Sequence, residues 1–449
     1  MNLLRLWGTR KFFSIAALYY LLFFALLVFA QRGGIPDSSI IVMQLLGMGF
    51  VAFFSLLYDK QSIAKTLLFV LAFQLLCCYG LRYFNIDYFH NALGYRPLDA
   101  LIYNRYGSHI ELSLVGFIKY LNVLSVKLDD MGFSLIVYFV YSLAGDPLVG
   151  IHLLVLFNVF AVLISSFYVY KISIMFFEKD ISCFAAFFWG TELYAVYTAS
   201  VGLKENFMVM FIVIAIYYIV HVNRGMLIKD IVLAVVFSLI MLLFRTAIFY
   251  MLISALLFIL SIRLSVLKRY FYVYIFVVGL LGIVYTYQIV DEIAIQQGYN
   301  YEFFEELVAN KIRHNGRITY MFNYLASAFG PFPNLISEDV DKQNYITLYS
   351  FSSFCKVFYS FFLVYGIYNI FKKKHFELIA LFVFMLLNSI MLVFTLFAQH
   401  DRYQWPHIPF TIILALYGLK CWKENRHLLR WDRWYLAIAS LLIIVFNFR

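Results

Sequence analysis

Apolar stretches of about twenty residues, the length that crosses a bilayer as a helix, recur along almost the whole chain. They fall near 12–30, 38–57, 65–82, 148–170, 183–200, 206–222, 228–244, 247–263, 270–289, 351–371, 376–398, 405–420 and 433–447. The runs are continuous and do not alternate in polarity, which excludes barrel strands. A backbone inside hydrocarbon must satisfy its own hydrogen bonds, so each run reads as a helix. The pattern predicts an all-α polytopic membrane protein of about thirteen transmembrane helices, in one integral-membrane domain spanning 1–449. The first run follows basic residues and is not followed by a small-residue cleavage site, so it is expected to stay as an uncleaved first helix.

Basic residues collect in every second gap. With Arg5, Arg10 and Lys11 on the cytoplasmic side, the same side receives Lys60 and Lys65, Lys171 and Lys179, and Arg224 and Lys229. It also receives Arg263, Lys268 and Arg269, then Lys372 to Lys374, then Lys420 to Arg433. Short gaps on the other side keep only Arg32, Lys204, Arg245 and Arg402. This is the asymmetry of the positive-inside rule. It places two long polar segments, 83–147 and 290–350, on the outer side. The stretch 111–145 is half apolar and charged at intervals, and is expected to form helices lying in the interface. Making 131–145 a span would invert every later loop.

Composition narrows the class further. The chain is 64% hydrophobic and 13% charged, which no soluble domain of this size sustains. Its net charge of +10 sits in short loops, so it argues for a membrane surface and against nucleic acid. The five cysteines lie in or beside apolar runs without zinc spacing, and read as small buried hydrophobes. No fixed-period repeat or related halves are visible, which weighs against a repeat-built transporter.

Five polar clusters remain, all on the predicted outer side. Asp87 and His90 stand three apart, one face of a helical turn, where a carboxylate can serve as a base or metal ligand; a solvated loop carboxylate is the plain alternative. Lys204 and Glu205 lie between two spans and could be simple topogenic flanks. Arg245 ends a span, and its guanidinium could clamp phosphate or merely snorkel to headgroups. Arg313, His314 and Arg317 cluster in the second long segment, the two arginines about one turn apart, as a diphosphate cradle would need. His400, Asp401, Arg402 and Tyr403 precede Pro406 and Pro409, which should loosen the first turn of the next span. Glu192 is separate: the spans bury it in the bilayer, as a functional carboxylate or a helix–helix hydrogen bond.

Several stretches resemble the GT-C superfamily of bacterial membrane glycosyltransferases, which use polyprenyl-linked sugars. IDYFHNA (86–92) resembles the acidic motif of the first outer loop. ASVGLKENFMVM (199–210) is similar to the polar turn followed by a span. LFRTAIFYM (243–251) and DRYQWPHIPF (401–410) resemble the arginine span and the arginine–proline span. The resemblance implies Asp87 as the catalytic base, with His90 as orienter or metal ligand and Glu205 as a second charged residue. It loosely matches Arg245 and Arg402 to basic positions near the lipid phosphate, and the polar clusters add Lys204, Arg313, Arg317 and Tyr403 as expected substrate or phosphate ligands. More than one span precedes the acidic loop, which departs from the best-known members, and no clear acidic pair is present. The cofactor is therefore left open, a divalent metal such as Mg or Mn being one option.

The expected function is transfer of a sugar or glycan from a polyprenyl phosphate or diphosphate donor to a glycan or lipid acceptor hydroxyl. The expected location is the outer face of a bacterial inner membrane. O-antigen and capsule repeat-unit polymerases share this outline and stay as an alternative. A flippase for lipid-linked oligosaccharide is the alternative from another class.

Overall fold

A computed structural model describes residues 63–94, 98–108, 116, 128–145, 147–224, 227–263, 326, 340–394, 401–424 and 431–447. The expected spans at 12–30, 38–57 and 270–289 lie outside the described residues, as do Arg313, His314 and Arg317. Every element among the described residues is helical. They are α1 (Ile63–Phe89), α2 (Leu98–Ser108), α3 (Leu128–Ala144), α4 (Pro147–Ser173), α5 (Lys179–Gly190), α6 (Leu193–Ser200) and α7 (Glu205–His221). Then come α8 (Leu227–Ile240), α9 (Thr246–Arg263), α10 (Val340–Lys373), α11 (Phe376–Phe394), the single turn α12 (Asp401–Gln404), α13 (Ile408–Glu424) and α14 (Trp431–Asn447). Four described helices are long and apolar enough to cross a membrane: Ile63–Phe89, Val149–Ser173, Thr246–Arg263 and Phe376–Val393.

Three differences from the expected spans have physical causes. The run 183–200 is two helices, broken at Thr191 and Glu192 after Gly190. The carbonyl of Gly190 instead accepts from Gln74 Nε2 of α1 at 2.7 Å, so the break leaves no orphan there. The helix expected at 351–371 starts at Val340, so polar residues assigned to the second outer segment are helical. After Ile240, α8 tightens into a 3₁₀ turn, Met241–Leu243, before Arg245.

The described helices pack with their turns gathered at two opposite ends. At one end, Arg224 grips Glu377 through Nε at 3.0 Å and through Nη2, and donates from Nη1 to the Met175 carbonyl at 2.8 Å. Lys373 meets Glu424 at 3.3 Å beside it. The turns after α4, α7 and α10 and the end of α13 therefore meet. These are among the turns where the charge rule collects basic residues. At the other end lie the turns after α6 and α8 and the start of α13, described below. Connector α3 stays at that second end: a Cβ on Gly132 would touch Phe244, and one on Gly150, in the first turn of α4, would touch Tyr141.

Helices α10 and α13 run parallel in close contact. Tyr359 meets Thr411, and Lys373 reaches Cys421 four turns on. A Cβ on Gly418 would run into the Phe362 carbonyl oxygen, and one on Gly366 into that of Leu414. Only glycine permits this backbone approach, the small-residue packing that apolar solvent favours between helices. Cys77, Cys78, Cys183 and Cys421 form no disulfide among the described residues and are buried, as small hydrophobes.

Candidate functional site

The turn between α6 and α7 is built by its own sequence, SVGLKEN. Gly202 takes φ +72°, which an L side chain rarely adopts, and the space above it is closed by Leu154. Leu203 N–H donates to the Thr198 carbonyl at 2.9 Å. Asn206 Nδ2 donates to the Ala195 carbonyl at 3.0 Å, and the Thr198 hydroxyl donates to Asn206 Oδ1 at 3.0 Å. This stitching fixes Lys204 and Glu205 at the head of α7, both buried.

Three further segments converge there. Lys204 Nζ reaches the Phe244 carbonyl at 3.5 Å, next to Arg245. The Arg245 guanidinium lies over the Tyr403 ring, 4.7 Å from its centroid, a cation–π contact. Arg402, in the turn ahead of α13, donates from Nε to Glu205 Oε1 and from Nη1 to Asp99 Oδ2 of α2. Pro406 sits in the 3₁₀ turn Trp405–His407 that leads into α13, where its missing N–H costs little.

The two carboxylates on Arg402 differ sharply. Glu205 is 0% exposed and Asp99 42%, with Arg402 between them at 29%. Glu205 above all, and Asp99 with it, holds the Arg402 guanidinium well above the ordinary arginine range, against its burial. Glu205 Oε2 has no hydrogen-bond partner among the described residues. Behind Arg402 stand Tyr194 and Trp405, ring centroids 4.8 Å apart, and Trp405 in turn packs on Trp189 at 4.8 Å. Glu192 sits at the N-cap position of α6 and accepts from the Ser352 hydroxyl, so the break in the 183–200 run carries a buried carboxylate.

Of the sequence-predicted residues, the contacts thus join Lys204, Glu205, Arg245, Arg402 and Tyr403. They do not include Asp87 or His90. Asp87 is exposed on the last turn of α1 and has no hydrogen bond or ion pair among the described residues. His90 lies just past that turn with φ +52°, the left-handed conformation that terminates helices. The two therefore do not share a helical face. Sequence reasoning missed Asp99. Its local signal, an acid in the first turn of a helix just after Pro97, marks a helix start rather than a site. No group of three or more His, Cys, Asp or Glu that could hold a metal occurs among the described residues.

The assembled group offers three cations, two carboxylates and an aromatic ring at one end of a helical bundle. It can bind an anion, and the exposed carboxylate can take up a proton. No curated protein and no solved structure matches the chain. A family model described as dolichyl-phosphate-mannose-protein mannosyltransferase matches residues 131–287, about a third of the chain, including Lys204, Glu205 and Arg245. Over that stretch the chain is similar to a GT-C superfamily domain, and the match supports a membrane glycosyltransferase of the GT-C type.

Proposed function

We propose that the protein transfers a sugar from a polyprenyl-phosphate donor to an acceptor hydroxyl at the membrane end that carries Arg402. The observation behind this reading is the meeting of Arg245, Lys204 and Arg402 with Asp99 and Glu205, from four separate segments, beside Tyr403. The acceptor oxygen attacks the anomeric carbon, and the bond from that carbon to the phosphate oxygen breaks. The departing polyprenyl phosphate keeps the electron pair, and its growing charge is met by the cations. A carboxylate takes the hydroxyl proton. The first outer segment supplies two candidates, Asp87 from the sequence motif and Asp99 from the geometry.

The sugar would join a cell-surface polysaccharide or glycolipid, and the cation-rich end would face the outer side of a bacterial inner membrane. The test is a reconstituted assay with polyprenyl-phosphate sugar and membrane-derived acceptor. Arg245→Ala should lower transfer by about a hundredfold to a thousandfold, the range for a lost oxyanion-type contact. Wild-type rates in that variant would remove this site.

One observation favours a second reading, a flippase for lipid-linked oligosaccharide. Glu192, Lys356 and His407 are buried inside the bundle, as residues lining a membrane path would be. Formation of a new glycosidic bond by the purified chain excludes that reading as the sole activity.

A further inference from the structure

Arg402 ties together two parts of the molecule that differ in how firmly they are held. Glu205 belongs to the buried head of α7, stitched in place by Asn206 and Gly202. Asp99 belongs to α2, an 11-residue helix in the connector between α1 and α4. Its far half is anchored by Tyr103 on Phe133, centroids 4.8 Å apart, and by Asn104 Oδ1, which accepts from the Tyr141 hydroxyl. Asp99, at its near end, is fastened by Arg402.

The two halves of the Arg402 pairing therefore answer differently to an incoming anion. Opening the Glu205 side would strand a charge in a dry environment. Opening the Asp99 side returns a half-exposed carboxylate to water, where ion pairs are weak and exchangeable. A phosphate brings more acceptor oxygens than a carboxylate and would meet Lys204 and Arg245 as well. While Arg402 holds Oδ2, the Asp99 carboxylate is turned toward the guanidinium, and release frees it to turn toward a substrate hydroxyl.

Building on the transferase reading, we propose that Arg402 is a clasp opened by donor phosphate. It grips α2 through Asp99 until the phosphate of a polyprenyl-linked sugar takes over Nη1, and the released Asp99 then accepts the acceptor hydroxyl's proton. Proton abstraction thereby waits for the donor. Arg402 here touches the donor phosphate, and Asp99 touches the acceptor hydroxyl.

Hydrogen exchange of the full chain in lipid nanodiscs tests the clasp, with polyprenyl phosphate as probe and unphosphorylated polyprenol as control. Saturating polyprenyl phosphate should speed exchange in the peptide covering 98–108 by at least tenfold, and polyprenol should not. Asp99→Asn should exchange at the fast rate from the outset, still bind polyprenyl phosphate, and lose transfer. Unchanged α2 exchange in the saturated wild type, or wild-type transfer by Asp99→Asn, overturns the clasp while leaving the transferase reading standing. Absence of both polyprenyl phosphate binding and transfer overturns the two together.

Discussion

At the scale of single residues, Arg402 carries the largest consequence. Removing it leaves Glu205, fully buried, facing no cation at Oε1. Breaking a buried pair by deleting one partner typically costs about 3–5 kcal/mol. Arg402→Ala should therefore lower the unfolding midpoint of the reconstituted protein clearly, whereas Glu205→Gln, which removes the charge together with the need for a partner, should cost less. A thermal unfolding series in nanodiscs ranks the two, and equal losses would show that the pairing with Glu205 does not govern stability. The pH dependence has a definite sign. Arg402 is a cation whose hold on its proton is strengthened by folding, so its contribution persists at every pH below the ordinary arginine range and is lost only above it. No limb of an activity profile between about pH 5 and 9 should come from this group.

Asp87 makes the contrasting case. It is exposed and takes no part in the contacts that gather the cations. Asp87→Asn and Asp99→Asn should thus separate: the first keeping transfer, the second losing about a hundredfold to ten-thousandfold, the range for a general base. A loss confined to Asp87→Asn would return the base to the residue chosen by motif.

At the scale of elements, two glycines set geometry that no other residue can. Gly202 holds the left-handed turn that presents Lys204 and Glu205, and Gly418 allows α13 to touch α10 backbone to backbone. Gly418→Ala forces that pair apart or bends it, and overpacking of this kind costs about 1–3 kcal/mol. Arg402 lies in the turn that leads into α13, so the same substitution should reduce transfer along with stability. Gly80→Ala, where an added Cβ meets nothing within 4 Å, is the control and should leave both unchanged. A Gly418→Ala protein as stable and active as the control would show that α10 and α13 are not held at this distance.

Elements also mark where sequence reading reached its limit. Continuous apolarity located α4, α7, α9 and the start of α1 and α11 to within a few residues, because burial in lipid writes itself along every residue of a span, but it ended α1 at 82 where the helix runs on to Phe89. It ran through the break between α5 and α6, because Gly190 and Thr191 do not lower hydropathy enough to show. The partner that satisfies that break, Gln74, is 116 positions away. The charge pattern likewise gave the five clusters and their common side as expectations. It could not pair Arg402 with Asp99, 303 positions distant, since local spacing holds no record of which turns meet.

At the scale of the whole molecule, the charge pattern predicts which end faces which side of the membrane. The end with Arg224, Lys372 and Lys373 holds the turns that the positive-inside rule assigns to the cytoplasm. The end with Arg402 and Arg245 would then face outward, where a lipid-linked sugar could be used without nucleotide donors. Impermeant maleimide labelling decides this directly. Cys77, Cys78, Cys183 and Cys421 are buried, so with Cys355→Ser the background should be low. Asp87 and Lys372 are both exposed, at opposite ends, and neither belongs to the contacts that assemble the site. Asp87→Cys should label in intact cells, and Lys372→Cys only after the membrane is permeabilised. The reverse pattern would turn Arg402 and its carboxylates toward the cytoplasm. In that case the donor would have to be met on the inner leaflet, and transfer at the outer face would fall even with the cluster intact.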